Sequence, residues 1–121
     1  MRLLSLHRLR ELVRREEMMR TPEGYEKDDI DKFLKKLGPE RCWFFNPYMA
    51  GYGKSGVSDK VVCLLGTFWS IEVKRPGKEP TVIQRRRMDE VQRAGGRAVA
   101  GTAEVVIQAL KDWLAVRGVV V

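Results

Sequence analysis

The stretch that decides the fold is residues 56–84, which read GVSDKVVCLLGTFWSIEVKRPGKEPTVIQ. It contains two strand-like runs, 60–65 and 67–74, and the single Gly66 between them is typical of a β-hairpin. Pro76 and Gly77 end the second run, and Thr81 then has the side chain of a helix N-cap. The stretch therefore predicts two paired strands followed by a helix over 82–94.

The segments on either side extend this hairpin into a larger sheet. The further elements that we predict are a helix from Thr21 to about Leu37, a strand over 42–45, a loop over 46–58 rich in Gly, Pro, Asn and Ser, a short buried strand over 97–101, and a last helix from Thr102 to about Val116. A strand–helix–strand unit after a hairpin predicts a mixed sheet with a right-handed crossover. We therefore expect an α/β fold with an αβββαβ core, flanked by helices and followed by a C-terminal helix.

Residues 1–20 are expected to stand outside this domain, which would span 21–121. Residues 2–19 carry leucines on one stripe among arginines, as in a basic amphipathic helix. Three interpretations remain open: a docking or oligomerisation helix, an arm that contacts DNA or a membrane, or an extension upstream of a translation start at Met18 or Met19.

The composition restricts the chemistry. The 121 residues suit one domain, and a net charge of +7 attracts polyanions, with nucleic acid as the first candidate. Cys42 and Cys63 have no paired spacing, which argues against a disulfide or a zinc site and favours the cytoplasm. No apolar run is long enough for a membrane span. Because His7 is the only histidine, we expect catalysis by carboxylates, lysine and a metal, with no organic cofactor.

The strand over 67–74 carries the candidate chemistry. Glu72 and Lys74 alternate with Ile71 and Val73, so they share the face opposite the core. Asp59, at the start of the preceding strand, lies across from them. Two carboxylates and a lysine at neighbouring strand ends predict a magnesium site. The alternative is that this Glu-x-Lys alternation is simply a solvated strand face.

Three motifs together resemble the virus-type replication-repair nuclease (VRR-NUC) domain of the PD-(D/E)xK nuclease superfamily. They are GYGKSGVSD at 51–59, GTFWSIEVK at 66–74 and KEPTVIQ at 78–84, and the similarity covers about residues 21–107. The resemblance implies that Asp59 and Glu72 ligate Mg²⁺, for which Mn²⁺ could substitute, and that Lys74 serves the attacking water. It also implies that Gln84 lies beside the site.

Two positions qualify this resemblance. Glu23 matches the family's amino-terminal acidic residue, which would assist the metal or a water, although an acidic residue there also simply compensates the helix dipole. Ser58 stands where the family usually has proline, and this departure bears on the rigidity of the loop rather than on ligation.

The predicted partner is DNA, recognised by shape rather than by sequence. Its predicted contacts are Lys54 and Ser55 in the glycine-rich loop, and Lys78, Arg85 and Arg86 after the catalytic strand. Individual arginines could instead be ordinary solvated helix surface. As a set, such contacts predict steep salt dependence. The resemblance also implies a homodimer, since two symmetric cuts need two active sites.

The leading functional hypothesis is a structure-specific endonuclease that cuts branched DNA, such as four-way junctions or flaps, during phage or prophage replication and repair in the bacterial host cytoplasm. Two alternatives remain open from the sequence. One is a catalytically idle nucleic-acid-binding module, and the other is a restriction-type or flap-trimming nuclease.

Overall fold

The computed structural model describes residues 5–19, 21–47 and 56–121. Their elements in chain order are α1 (Leu6–Met19), α2 (Pro22–Lys36), β1 (Cys42–Phe45), β2 (Lys60–Leu64), β3 (Thr67–Val73), α3 (Val82–Arg93), β4 (Arg97–Gly101) and α4 (Ala103–Val116). The predicted order of helices and strands is confirmed. Helices α2, α3 and α4 each begin after a threonine whose hydroxyl accepts a backbone N–H of the first turn.

The four strands form one mixed sheet, as the sequence predicts, and their order in it is β1-β2-β3-β4. The first three strands are antiparallel neighbours, whereas β3 and β4 are parallel. The hairpin turn between β2 and β3 has Leu65 at φ 46° and Gly66 at φ 80°. Positive φ at both positions is the requirement of a type I′ turn, whose twist matches that of paired strands. The turn therefore fixes the register that places Lys60 opposite Ile71.

The hydrophobic core lies between one face of the sheet and helices α2 and α4. Trp69 of β3 meets Trp113 of α4 edge-on, with ring centroids 5.6 Å apart. Residues that alternate with Trp69 along β3 point to the opposite face, which we call the outer face. There α3 packs on β3 and β4: a Cβ on Gly96 would lie 2.9 Å from Val91 of α3 and 3.2 Å from Phe68. Helices thus flank the sheet on both faces.

Two details differ from the sequence-based expectation or extend it. The strand over 97–101, predicted to be buried, is an edge strand with Arg97 exposed and its other residues half-buried. An edge strand has a neighbour on one side only, which explains why the residues of β4 are accessible.

In the described part of the chain, α1 packs against no other element, and its Leu6, Leu9 and Val13 are exposed. No helix among the described residues is long and apolar enough to cross a membrane.

Candidate active site

Asp59 lies immediately before β2, where it is tied to the end of β3. Its Oδ2 accepts a hydrogen bond from the backbone N–H of Val73 at 2.8 Å. The preceding loop packs against α3 so closely that a Cβ on Gly56 would lie 2.4 Å from the Ile83 side chain, and Gly56 has φ +76°. Only glycine suits both conditions. The backbone therefore holds the Asp59 carboxylate at the end of β3.

Glu72 is buried, with 4% of its surface exposed, and is oriented by the first turn of α3. The Gln84 side chain donates to Glu72 Oε1 at 2.6 Å. Gln84 is itself fixed by a capping box, in which its Oε1 accepts the Thr81 N–H at 2.9 Å and its own N–H is donated to Thr81 Oγ1 at 3.2 Å. Gln84 thus both caps the start of α3 and positions the Glu72 carboxylate. The burial of Glu72 does not fit a solvated strand face.

The two carboxyl groups meet. Burial, then the charge of Asp59 and a hydrogen bond with it, raises the pKa of Glu72 to about 8, against a smaller opposing effect of Lys74. Two acidic groups packed together away from water destabilise the doubly ionised form. A cation bound between the two carboxyl groups would relieve that repulsion.

Lys74 completes the predicted group at the end of β3. Its Nζ lies 3.9 Å from Glu72 Oε1, and its side chain is 13% exposed. The backbone N–H of Lys74 donates to the carbonyl of Gly101 at 2.8 Å, so the parallel pairing of β3 with β4 continues to this residue. The strand pairing therefore holds Lys74 on the same face as Glu72, with its ammonium at the edge of the solvent.

Lys27 is a member of the site that the sequence did not indicate. Its Nζ lies 3.3 Å from Asp59 Oδ1 and 3.7 Å from Glu23 Oε2. Burial alone would lower the pKa of Lys27, but the charges of Asp59 and Glu23 outweigh it and raise that pKa. Glu23 is therefore brought to the site through Lys27, one helical turn away. A lysine four residues after a glutamate is common on exposed helices, so only the fold reveals this role.

Comparison with known proteins identifies the fold that carries these residues. A solved structure described as a VRR_NUC domain superposes with a TM-score of 0.62 at 26% sequence identity, covering 74% of this chain and 95% of the other. The chain has the VRR-NUC fold. No protein-family model and no curated protein sequence matches it. The fold and the resemblance predicted from the motifs are confirmed, and the chain is a nuclease-type domain.

The donors available to a metal in this VRR-NUC fold are few. Among the residues that the structure describes, no group of three or more His, Cys, Asp or Glu side chains is arranged to hold a metal ion. Asp59 and Glu72 supply two carboxylates. A site of this kind suits a hard cation such as Mg²⁺, which binds through one or two carboxylates and retains water and substrate phosphate as further ligands.

A cleft of about 550 Å³ opens beside Lys74. Its lining residues are Thr21, Pro22, Glu23, Lys74, Arg75, Lys78, Glu79 and Thr81. Of the predicted DNA contacts, Lys78 is an exposed member of this lining. Arg85 is engaged with Glu79 at 3.5 Å and with the carbonyl of Pro80 at 3.3 Å, whereas Arg86 is exposed on α3. Lys54 and Ser55 lie outside the described residues.

We expect Lys27→Met to lower the metal concentration needed by this site. In the metal-free chain the Lys27 ammonium competes with a metal ion for the Asp59 carboxylate. Removing an ion pair as exposed as this one should make the free energy of metal binding more favourable by up to about 1 kcal/mol, or roughly fivefold in affinity. The measurement is a calorimetric Mn²⁺ titration at pH 8. Lys32→Met, which alters an exposed lysine of the same helix, is the control. Weaker Mn²⁺ binding by Lys27→Met would instead mean that Lys27 supports the bound state.

Proposed function

We propose that the chain is a divalent-metal-dependent endonuclease that hydrolyses phosphodiester bonds in DNA, with branched DNA as its substrate. The observation that carries the proposal is the meeting of Asp59 with the buried Glu72 beside Lys74, on a domain with the VRR-NUC fold. A purely structural pair of carboxylates would be costly at this position, because burial and mutual repulsion both oppose ionisation.

Asp59 and Glu72 are the residues that would hold Mg²⁺ or Mn²⁺. When bound, the ion supplies Lewis-acid polarisation of the phosphate and lowers the pKa of a coordinated water. The Val73 N–H and the Gln84 side chain fix the two carboxylates in advance, so little reorganisation is needed on binding. This preorganisation by groups next to the ligands is a general requirement of metal sites.

Lys74 is assigned to the attacking water and to the charge that develops on the phosphate. The water oxygen forms the new bond to phosphorus and releases one proton to solvent, while the bond from phosphorus to the sugar oxygen breaks and that oxygen takes up one proton from solvent. An ammonium next to the reacting phosphate stabilises the extra negative charge of the pentavalent state. Glu23, held through Lys27, is assigned to a water at the edge of the site.

The cleft beside Lys74 is assigned to the DNA backbone. Lys78 and Arg75 supply positive charge in its lining, and Arg86 is a further exposed positive charge on α3. Such contacts position a backbone without reading bases, which supports recognition of DNA shape. We further propose a homodimer, because one chain supplies one active site and a symmetric pair of cuts requires two.

A cleavage assay tests this function directly. End-labelled four-way junctions, flaps, duplex and single strands are incubated with the protein in Mg²⁺, Mn²⁺ or EDTA. We expect cutting only with a divalent ion and preferentially on the branched substrates. Binding without cutting under every metal condition would favour the idle DNA-binding module, and preferential cutting of plain duplex or of flaps alone would favour the restriction-type or flap-trimming nuclease.

A further inference from the structure

The outer face of the sheet continues beyond the catalytic carboxylates as a row of exposed aromatic side chains. Strand pairing places Phe45 opposite Val61, and Trp43 opposite Cys63, which in turn is opposite Phe68. These residues alternate with the buried Cys42, Val62, Leu64 and Trp69, so they share the face on which Asp59 and Glu72 lie. We call Trp43, Phe45 and Phe68 the aromatic platform.

The aromatic platform is accessible. Trp43 is 64% exposed, Phe45 46% and Phe68 45%, and the rings of Trp43 and Phe45 lie 5.5 Å apart. Helix α3 covers the outer face over β3 and β4 only, and no other helix in the described ranges packs against the outer face of β1 or β2. Large aromatic side chains exposed in a group usually mark a binding surface.

The position and the charge of its surroundings indicate the kind of ligand that the platform would bind. Same-face residues are about 7 Å apart along a strand and neighbouring strands about 5 Å apart, so Phe45 lies roughly 8 Å and Trp43 roughly 15 Å from Asp59. Neither β1 nor β2 contains an acidic residue, and the chain carries a net charge of +7. A polyanion in the catalytic cleft can therefore continue over this face without repulsion.

We propose that the aromatic platform stacks unpaired bases of the substrate strand within roughly 15 Å of the cleaved phosphate. The inference rests on the proposed nuclease function and specifies its substrate: a DNA strand with at least one unstacked nucleotide near the cut. Aromatic rings accept any base on their faces, and the interaction tolerates all sequences. A fully paired duplex keeps its bases stacked inside the helix and offers nothing to these rings.

Two native reporters allow a test without cutting. Trp43 is the exposed tryptophan, since Trp69 and Trp113 are 3% and 7% exposed. Cys63 is the exposed thiol at the centre of the platform, whereas Cys42 is buried. In EDTA, the protein is titrated with a twelve-residue oligothymidylate and with an abasic oligonucleotide of equal length, which carries the same phosphates without bases.

We expect the oligothymidylate, but not the abasic strand, to quench Trp43 fluorescence and to protect Cys63 from a thiol reagent. Trp43→Ala should weaken oligothymidylate binding by about 5- to 100-fold and leave abasic binding unchanged. Phe45→Leu should have a smaller effect in the same direction. Val116→Ala, which trims a side chain 86% exposed on α4, is the matched control and should change neither.

Two results would overturn the proposal. One is equal binding of both strands by the parent and by Trp43→Ala. The other is a dimer in sedimentation that Trp43→Ala dissociates, with Cys63 already protected in the absence of DNA, which would assign the face to a second copy of the chain. Because these readouts need no metal, they are separate from cutting: base-dependent binding with no cutting on any substrate would refute the nuclease function alone.

Discussion

Lys74→Ala is expected to reduce cutting by at least about 10²-fold while DNA and Mn²⁺ binding remain close to those of the parent. Removing one group that stabilises charge in a transition state has an effect of this size. Lys74 lies 3.9 Å from Glu72 and its side chain is mostly covered, and the proposed mechanism therefore assigns it to the reacting phosphate rather than to the DNA backbone elsewhere. Single-turnover cleavage of a labelled junction, with the protein in excess, measures this step.

Lys78→Ala supplies the comparison for that experiment. Lys78 lines the same cleft but is exposed, so its loss should weaken DNA binding a few-fold. The slope of the logarithm of the binding constant against the logarithm of the salt concentration should become shallower by about one unit. The single-turnover rate at saturating protein should stay unchanged. If the two variants had the same phenotype, Lys74 would be one more backbone contact, and its assignment to the chemical step would fail.

Glu72→Gln is expected to abolish cutting and to stabilise the metal-free chain at alkaline pH. The pKa of Glu72 is raised from its ordinary 4.5 to about 8. Between these values the folded chain holds a proton that the unfolded chain has lost, so stability falls as pH rises through this window and levels off above about 8. The neutral glutamine avoids ionisation beside Asp59. It should therefore raise the free energy of unfolding by about 1–3 kcal/mol over that of the parent at pH 9, whereas parent and variant should be similarly stable near pH 4.5.

Urea denaturation in EDTA at pH 4.5 and pH 9 measures this difference. Glu40→Gln, at an exposed glutamate, is the control and should not show it. Mn²⁺ should stabilise the parent at pH 9 by binding the folded state, and the Glu72→Gln variant much less. If the stability difference between the parent and Glu72→Gln were the same at both pH values, Glu72 would ionise freely and would not be held against Asp59.

The order of elements could be predicted from the sequence because local signals mark nearly every boundary. Thr21, Thr81 and Thr102 each precede a helix and accept a first-turn N–H in the structure. The alternation of Ile71 and Val73 with Glu72 and Lys74 likewise predicts that Glu72 and Lys74 share the face opposite the core, because strand geometry imposes it. These features depend on neighbours in sequence, and the fold confirms them.

Other features depend on residues distant in sequence, and the sequence alone does not reveal them. Lys60 reads as a surface lysine, yet it is 1% exposed and pairs with Asp31 at 2.6 Å and Asn46 at 3.1 Å. This buried pair anchors the start of β2 next to Asp59. Lys27 similarly reaches Asp59 only because α2 packs across the sheet. The accessibility of β4 follows from its place at the edge of the sheet, which depends on topology.

The most direct test of the account is the position of a metal ion. Crystals grown with Mn²⁺ and measured at a wavelength where manganese scatters anomalously reveal the ion independently of the protein model. We predict an anomalous peak about 2.0–2.3 Å from a carboxylate oxygen of Asp59 and from one of Glu72, as expected for oxygen ligands of small divalent ions. A peak elsewhere, or none between these two carboxylates under conditions that support cutting, would contradict the proposed active site.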